Sequence, residues 1–166
     1  AAIRRALREE GGSVLAFLPG AGEIRRTAER LEGLGPDAIV APLFGALSPA
    51  EQDAAVQPAP EGKRKIVLAT DIAESALTIE GVRIVIDSGL SRVAEDNIGG
   101  LGSRLSTVRA SRASVDQRRG RAGRLEPGVC YRLWDEEATR GLIPAPVPEI
   151  LSSDLSGLVL TLAEWG

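Results

Sequence analysis

The chain has 166 residues, 43% apolar and 26% charged, with a formal net charge of −3. That suffices for one domain with a real core and excludes a disordered chain. It contains no histidine and one cysteine, Cys130. Ser-His-Asp and Cys-His catalysis, internal disulfides and zinc clusters are therefore excluded.

Residues 2–10 have high helix propensity and stop at Gly11-Gly12. Residues 13–18 are a short apolar run bounded by turn residues, which predicts a buried parallel strand. The turn Pro19-Gly20-Ala21-Gly22 then leads into helical spacing over residues 23–34. A strand, a glycine turn and a helix start can form an anion site, but the Gly-Lys-Ser/Thr ending of a Walker A loop is absent. An ordinary βα connection has the same pattern. A second strand is predicted over residues 38–43. Gly45 lies in the following turn, and Ser48-Pro49 starts a helix that ends before Pro58.

A third strand over residues 66–69 leads into Thr70-Asp71-Ile72-Ala73-Glu74-Ser75-Ala76-Leu77-Thr78-Ile79-Glu80-Gly81. Ligands of open α/β sheets bind beyond the carboxyl ends of strands, so this loop is well placed. Residues 83–87 predict a fourth strand. Residues 90–95 and 105–108 predict an exposed hairpin, which the residues alone leave as either functional or decorative. Residues 129–133 predict a fifth strand in which Cys130 is an inert buried thiol. Asp135 caps a short helix to Arg140. Pro144, Pro146 and Pro148 mark a boundary, and Ser153 or Asp154 caps an amphipathic helix from Leu155 to Trp165.

The most distinctive stretch is Gln117-Arg118-Arg119-Gly120-Arg121-Ala122-Gly123-Arg124. Seven arginines face one acid between Arg104 and Arg124. A helix beginning at an N-cap Ser114 would put Gln117, Arg121 and Arg124 on one face, with Arg118 and Arg119 pointing elsewhere. Guanidinium forks on one face suit phosphate oxygens. The glycines suggest a close approach to the backbone. Three readings remain open from the residues: a phosphate site, a solvated basic face, and a capping box that uses Gln117 only locally.

This octet resembles motif VI of superfamily 2 helicases, Q-R-x-G-R-x-G-R, at every fixed position. The surrounding sequence resembles the DEAH-box branch. Residues 70–81 are similar to motif V, A-T-N-I-A-E-T-S-L-T-I-D-G, with Asp71, Ser75, Ala76 and Glu80 as departures. The Gly20 turn resembles motif IV. Residues 128–134 resemble the family's G-x-C-Y-R-L-(aromatic) strand.

The resemblance implies a RecA-like α/β fold: a parallel sheet flanked by helices, with a β-hairpin insertion, forming the second of two helicase lobes. It implies residues 1–143 as that lobe and 144–166 as a linker with the first helix of a truncated winged-helix-like domain. Arg121 and Arg124 would be arginine fingers for ATP, and Gln117 would position the attacking water. Thr78 and Glu80 would lie near the nucleotide. Val56 stands where many relatives carry an adenine-stacking phenylalanine, and it offers no aromatic face. Thr70, Gly20 and Gly45 would lie on the nucleic-acid backbone.

ATP and Mg2+ are the implied cofactors, the metal held mainly by the first RecA-like lobe of the same full-length chain. RNA is the implied partner, with DNA left open. A non-catalytic RecA-like module that binds RNA or protein is the alternative. No apolar run approaches the roughly 20 residues of a membrane span. No signal peptide is visible, so a cytoplasmic location is expected. With no methionine, the chain reads as a segment of a longer product. The motor reading, as drawn from the residues, requires the Gln117-Arg121-Arg124 stripe to face outward at the carboxyl edge of the sheet.

Overall fold

The computed structural model describes residues 1–74, 79–96, 103–124, 126–148 and 155–165. Among these, α1 (Ala2–Glu9), β1 (Ser13–Phe17), α2 (Ala21–Arg30), β2 (Ala38–Leu43), α3 (Pro49–Val56) and β3 (Arg64–Ala69) come first. A 3₁₀ turn (Asp71–Ala73) precedes β4 (Val82–Asp87), β5 (Leu90–Asp96) and β6 (Ser103–Arg109). Then come α4 (Arg112–Arg119), β7 (Val129–Arg132), α5 (Glu136–Arg140) and α6 (Ser156–Trp165).

Five strands form one parallel sheet in the order β2-β3-β1-β4-β7. Near its centre, Leu15 pairs with Val67 on one side and Val85 on the other. Every residue of β1 is buried, as a strand covered on both faces must be. The strand alternation sends two sets of side chains to opposite faces. Val14, Ala16, Ile66, Leu68, Ile84 and Ile86 pack with Ile3 and Ala6 of α1 and Ile24 of α2. Leu15, Phe17, Val67, Ala69 and Val85 pack on the other face with Ala55 of α3 and Ala73. β2 and β7 are the outer strands, and Pro42 sits inside β2 opposite Leu68.

Basic side chains tie off the carboxyl ends of the first three helices. Arg64 donates to the carbonyls of Gly12, Leu7 and Glu10 at the end of α1. Arg4 donates to Arg30 and Glu32 beyond α2. The Lys65 ammonium, buried in the sheet, donates to Ala54, Ala55 and Gln57 at the end of α3. Helix C-termini carry orphan carbonyls and partial negative charge, so a cation there satisfies both. The other end of α3 has a capping box: Ser48 accepts from the Glu51 amide, and the Glu51 carboxylate accepts from the Ser48 amide.

The hairpin β5–β6 stands apart from the sheet in antiparallel register, from Leu90 opposite Arg109 to Asp96 opposite Ser103. α6 exposes Val159, Leu160, Leu162 and Trp165. The expected caps of α6, Ser153 and Asp154, lie outside the described residues. No helix among the described residues is long and apolar enough to cross a membrane.

Candidate functional site

α4 begins and ends earlier than the arginine spacing predicts. Its N-cap is Ser111, whose hydroxyl accepts from the Ser114 amide at 3.1 Å. The amides of Arg112 and Ala113 donate to the carbonyls of Ile143 and Pro144. With those donors satisfied, Ser114 is not the cap and Gln117 closes no capping box. The helix stops at Arg119, with Gly120 as its C-cap. Gln117 is therefore helical and exposed, whereas Arg121 and Arg124 lie in the turn that follows. The three residues are not one helical stripe.

The turn exists because Gly123 adopts φ +70°, a region that costs other residues strain. A Cβ built on Gly128 would lie 2.5 Å from the Gly123 nitrogen and 2.7 Å from the Arg83 carbonyl oxygen. The close approach that the glycines imply is thus made by the chain itself as it turns back into β7.

Arg83 is the second residue of β4, so the chain has travelled from the carboxyl end of the sheet toward its amino end. Arg118 marks the start of that path, 2.9 Å from Asp87 at the last position of β4. The expectation that the arginines face outward at the carboxyl edge is corrected accordingly. They lie along one face of the sheet, where Ala122 packs against the Leu15–Phe17–Val85 cluster.

The crossover from β3 to β4 follows the same course. Thr70 donates its amide to the Leu43 carbonyl at the carboxyl end. Ile72, Ala73 and Ile79 pack on the same face as Ala122. Gly81 accepts from Ser13 at the amino end of β1. Glu80 is exposed at this amino rim. Val56 joins it there as the half-buried last residue of α3, because Lys65, near the start of β3, holds that helix end. Thr78 lies outside the described residues.

Gly20, Gly45 and Thr70 occupy the opposite, carboxyl rim, just beyond β1, β2 and β3. Gly20 is the N-cap of α2, and its place is crowded: a Cβ would lie 2.7 Å from Arg92 Nη1 and 3.1 Å from Glu23 Oε2. Glu23 already supplies negative charge to that helix start, so an arriving phosphate would depend on the Arg92 guanidinium. Gly45 is open, with nothing within 4 Å of an added Cβ. The Thr70 side chain makes no capping bond to the turn it precedes.

Arg121 donates to the backbone carbonyl of Glu74. Burial, and then the like charge of Arg124, draw the Arg121 guanidinium below its usual range, while Glu74 opposes them. Arg118, which the spacing places off the Gln117-Arg121-Arg124 face, is 1% exposed. It donates to Glu74 at 2.6 Å, Asp87 at 2.9 Å, the Leu90 carbonyl at 3.1 Å and Ser91 Oγ at 2.7 Å, and it lies over the Phe17 ring. Its burial with Val115 at i, i+3 was the available signal, since Val115 is the apolar residue that orients α4. Burial first, and then the charge of Asp87, push the Cys130 thiol up to about 11, which agrees with an inert sulfur.

Among the described residues no cluster of His, Cys, Asp or Glu is arranged to hold a metal ion. The carboxylates closest to the arginines, Glu74 and Asp87, are engaged with Arg118. The residues present therefore do not fit a magnesium site.

The chain matches the family described as helicase conserved C-terminal domain over residues 1–126. It is 53% identical over 162 residues to the ATP-dependent RNA helicase HrpB of Escherichia coli, covering 96% of this chain and 20% of that protein. It is 41% identical over 169 residues to the pre-mRNA-splicing factor ATP-dependent RNA helicase prp22 of Schizosaccharomyces pombe, covering 96% of this chain and 14% of that protein. The crystal structure of the Escherichia coli DEAH/RHA helicase HrpB superposes with a TM-score of 0.91 at 51% identity, covering 99% of this chain and 21% of that one. The chain thus spans about a fifth or less of these relatives. Both the matched region and the superposition take in the crossover and the arginine turn, and the chain belongs to the helicase C-terminal domain family.

Proposed function

We propose that this lobe is the second half of an ATP-dependent RNA helicase, with its two ligands at opposite rims of one sheet. The single observation that carries the reading is the arginine turn: Arg121 and Arg124 follow the end of α4, and Ala122 between them packs in the cluster that also holds Val56. Like charges held together are stabilised by a multiply charged anion. The relatives' name, ATP-dependent RNA helicase, supplies the anion and the strand, so the motor reading rests on this kinship and not on the carboxyl-edge stripe that the residues alone predict.

In this reading ATP is held by a first RecA-like lobe of the same full-length chain. Closure brings Arg121 and Arg124 onto the γ-phosphate, where they stabilise charge that spreads during phosphoryl transfer. Gln117 positions the attacking water. Glu80 and Thr78 face the ribose and the reacting centre, and Val56 gives the base apolar contact without stacking. Thr70, Gly20 and Gly45 hold phosphates and sugars of the strand, so sequence preference is low. Residues 144–166 lead into a further domain, in keeping with the exposed apolar face of α6.

Arg124→Ala in the full-length protein tests the assignment. Turnover of ATP falls on the order of 10³-fold while KM for ATP changes little, because the contact forms mainly in the transition state. An unchanged rate removes the finger.

A further inference from the structure

We infer that Arg118 is a positioning residue that couples the root of the β5–β6 hairpin to the arginine turn, through a Glu74 contact able to open and close. The inference rests on reading the lobe as half of a motor.

One guanidinium reaches three parts of the chain. Its Nη1 donates to the Leu90 carbonyl and its Nη2 to Ser91 Oγ, both at the hairpin root. Its Nε donates to the Glu74 carboxylate at the end of the 3₁₀ turn. Nη1 also donates to Asp87, which itself accepts from the Gly89 amide at 2.8 Å. The adjacent Arg92 extends from the same hairpin root over Gly20. Glu74 is held at both ends, its side chain by Arg118 and its backbone carbonyl by Arg121. A shift of the hairpin root is therefore felt at the turn that holds Arg121.

The charges show which contact can move. Two carboxylates face one guanidinium, and both Asp87 and Arg118 are almost fully buried. A buried cation needs one carboxylate for neutrality, and Asp87 already provides it. The second acid, Glu74, lies between Arg118 and Arg121, so two carboxylates meet two guanidinium groups. Within this cluster Asp87 Oδ2 has no hydrogen-bond partner among the described residues. An incompletely satisfied buried cluster is not what folding stability alone favours. Glu74 can leave Arg118 without stranding a buried cation, because Asp87 stays paired with it, and of the two acids Glu74 is the less deeply buried, 12% exposed against 0%. The result is two accessible arrangements, which energetic coupling between separated sites requires.

The test uses the full-length protein, with basal and RNA-stimulated ATP turnover measured on a single-stranded oligoribonucleotide. Ser91→Ala cuts the hairpin link, and Glu74→Gln keeps an acceptor while removing the carboxylate charge. Each is expected to lower the stimulation factor about five- to tenfold. Ser91→Ala leaves basal turnover unchanged, and the double variant is no worse than the lower single, because both lie on one connection. Unchanged stimulation in either variant overturns the inference. So does a parallel loss of basal and stimulated turnover in Ser91→Ala, or a multiplied loss in the double variant. A wild-type protein that does not turn over ATP overturns the motor reading itself.

Discussion

Gly45 separates what the lobe needs from what a bound strand needs. Its backbone has no positive φ and an added Cβ meets nothing within 4 Å. Gly45→Ala is therefore expected to leave stability unchanged or raise it by about 0.5 kcal/mol, by narrowing the unfolded ensemble. If a strand's backbone approaches that glycine, RNA affinity falls in the same variant. Chemical denaturation beside an RNA titration reads both, and unaltered affinity removes Gly45 from the interface. Legibility at this scale was uneven. Gln117, Arg121 and Arg124 stand out from their spacing and their match to motif VI. Arg118 does not, because its partners Glu74 and Asp87 lie 44 and 31 residues away. An arginine among arginines gives no local sign that it is the buried one.

Helices and strands were legible where local chemistry decides them. β2 occupies residues 38–43 as its apolar run predicts, and Ser48-Pro49 starts α3. α4 was not, because its first amides are satisfied by the Ile143 and Pro144 carbonyls, about 30 residues downstream in the sequence. Its end at Gly120 is not legible either, because a glycine in a motif reads as easily for close packing as for termination. The Lys65 contact gives α3 its own prediction. Lys65→Met keeps the buried stem and removes the donors to Ala54, Ala55 and Gln57. We expect a loss of about 2 kcal/mol in urea unfolding, the range for hydrogen bonds from a charged donor. A loss below about 0.5 kcal/mol would show that the carbonyls are as well served by water.

At the scale of the whole lobe, the sequence made the α/β class plain and put the 70–81 loop and the arginine stripe at the carboxyl edge of the sheet. That Glu80 lies instead at the amino rim follows from crossover direction: the β3–β4 connection must return to the amino end of a parallel neighbour, and it carries Glu80 there. With no Walker A ending in the chain, the lobe alone is expected neither to hydrolyse ATP nor to separate duplexes. A malachite-green assay of the purified lobe with magnesium and RNA checks this, and turnover above background would mean that it carries a catalytic centre of its own.

Pro42 has a bearing on how such a lobe behaves when produced by itself. Open sheets invite edge-to-edge pairing between copies, and an imino acid in the outermost strand cannot supply one rung of such a ladder. The far border, β7, is only four residues long. Both margins therefore make poor templates for edge-to-edge stacking between copies.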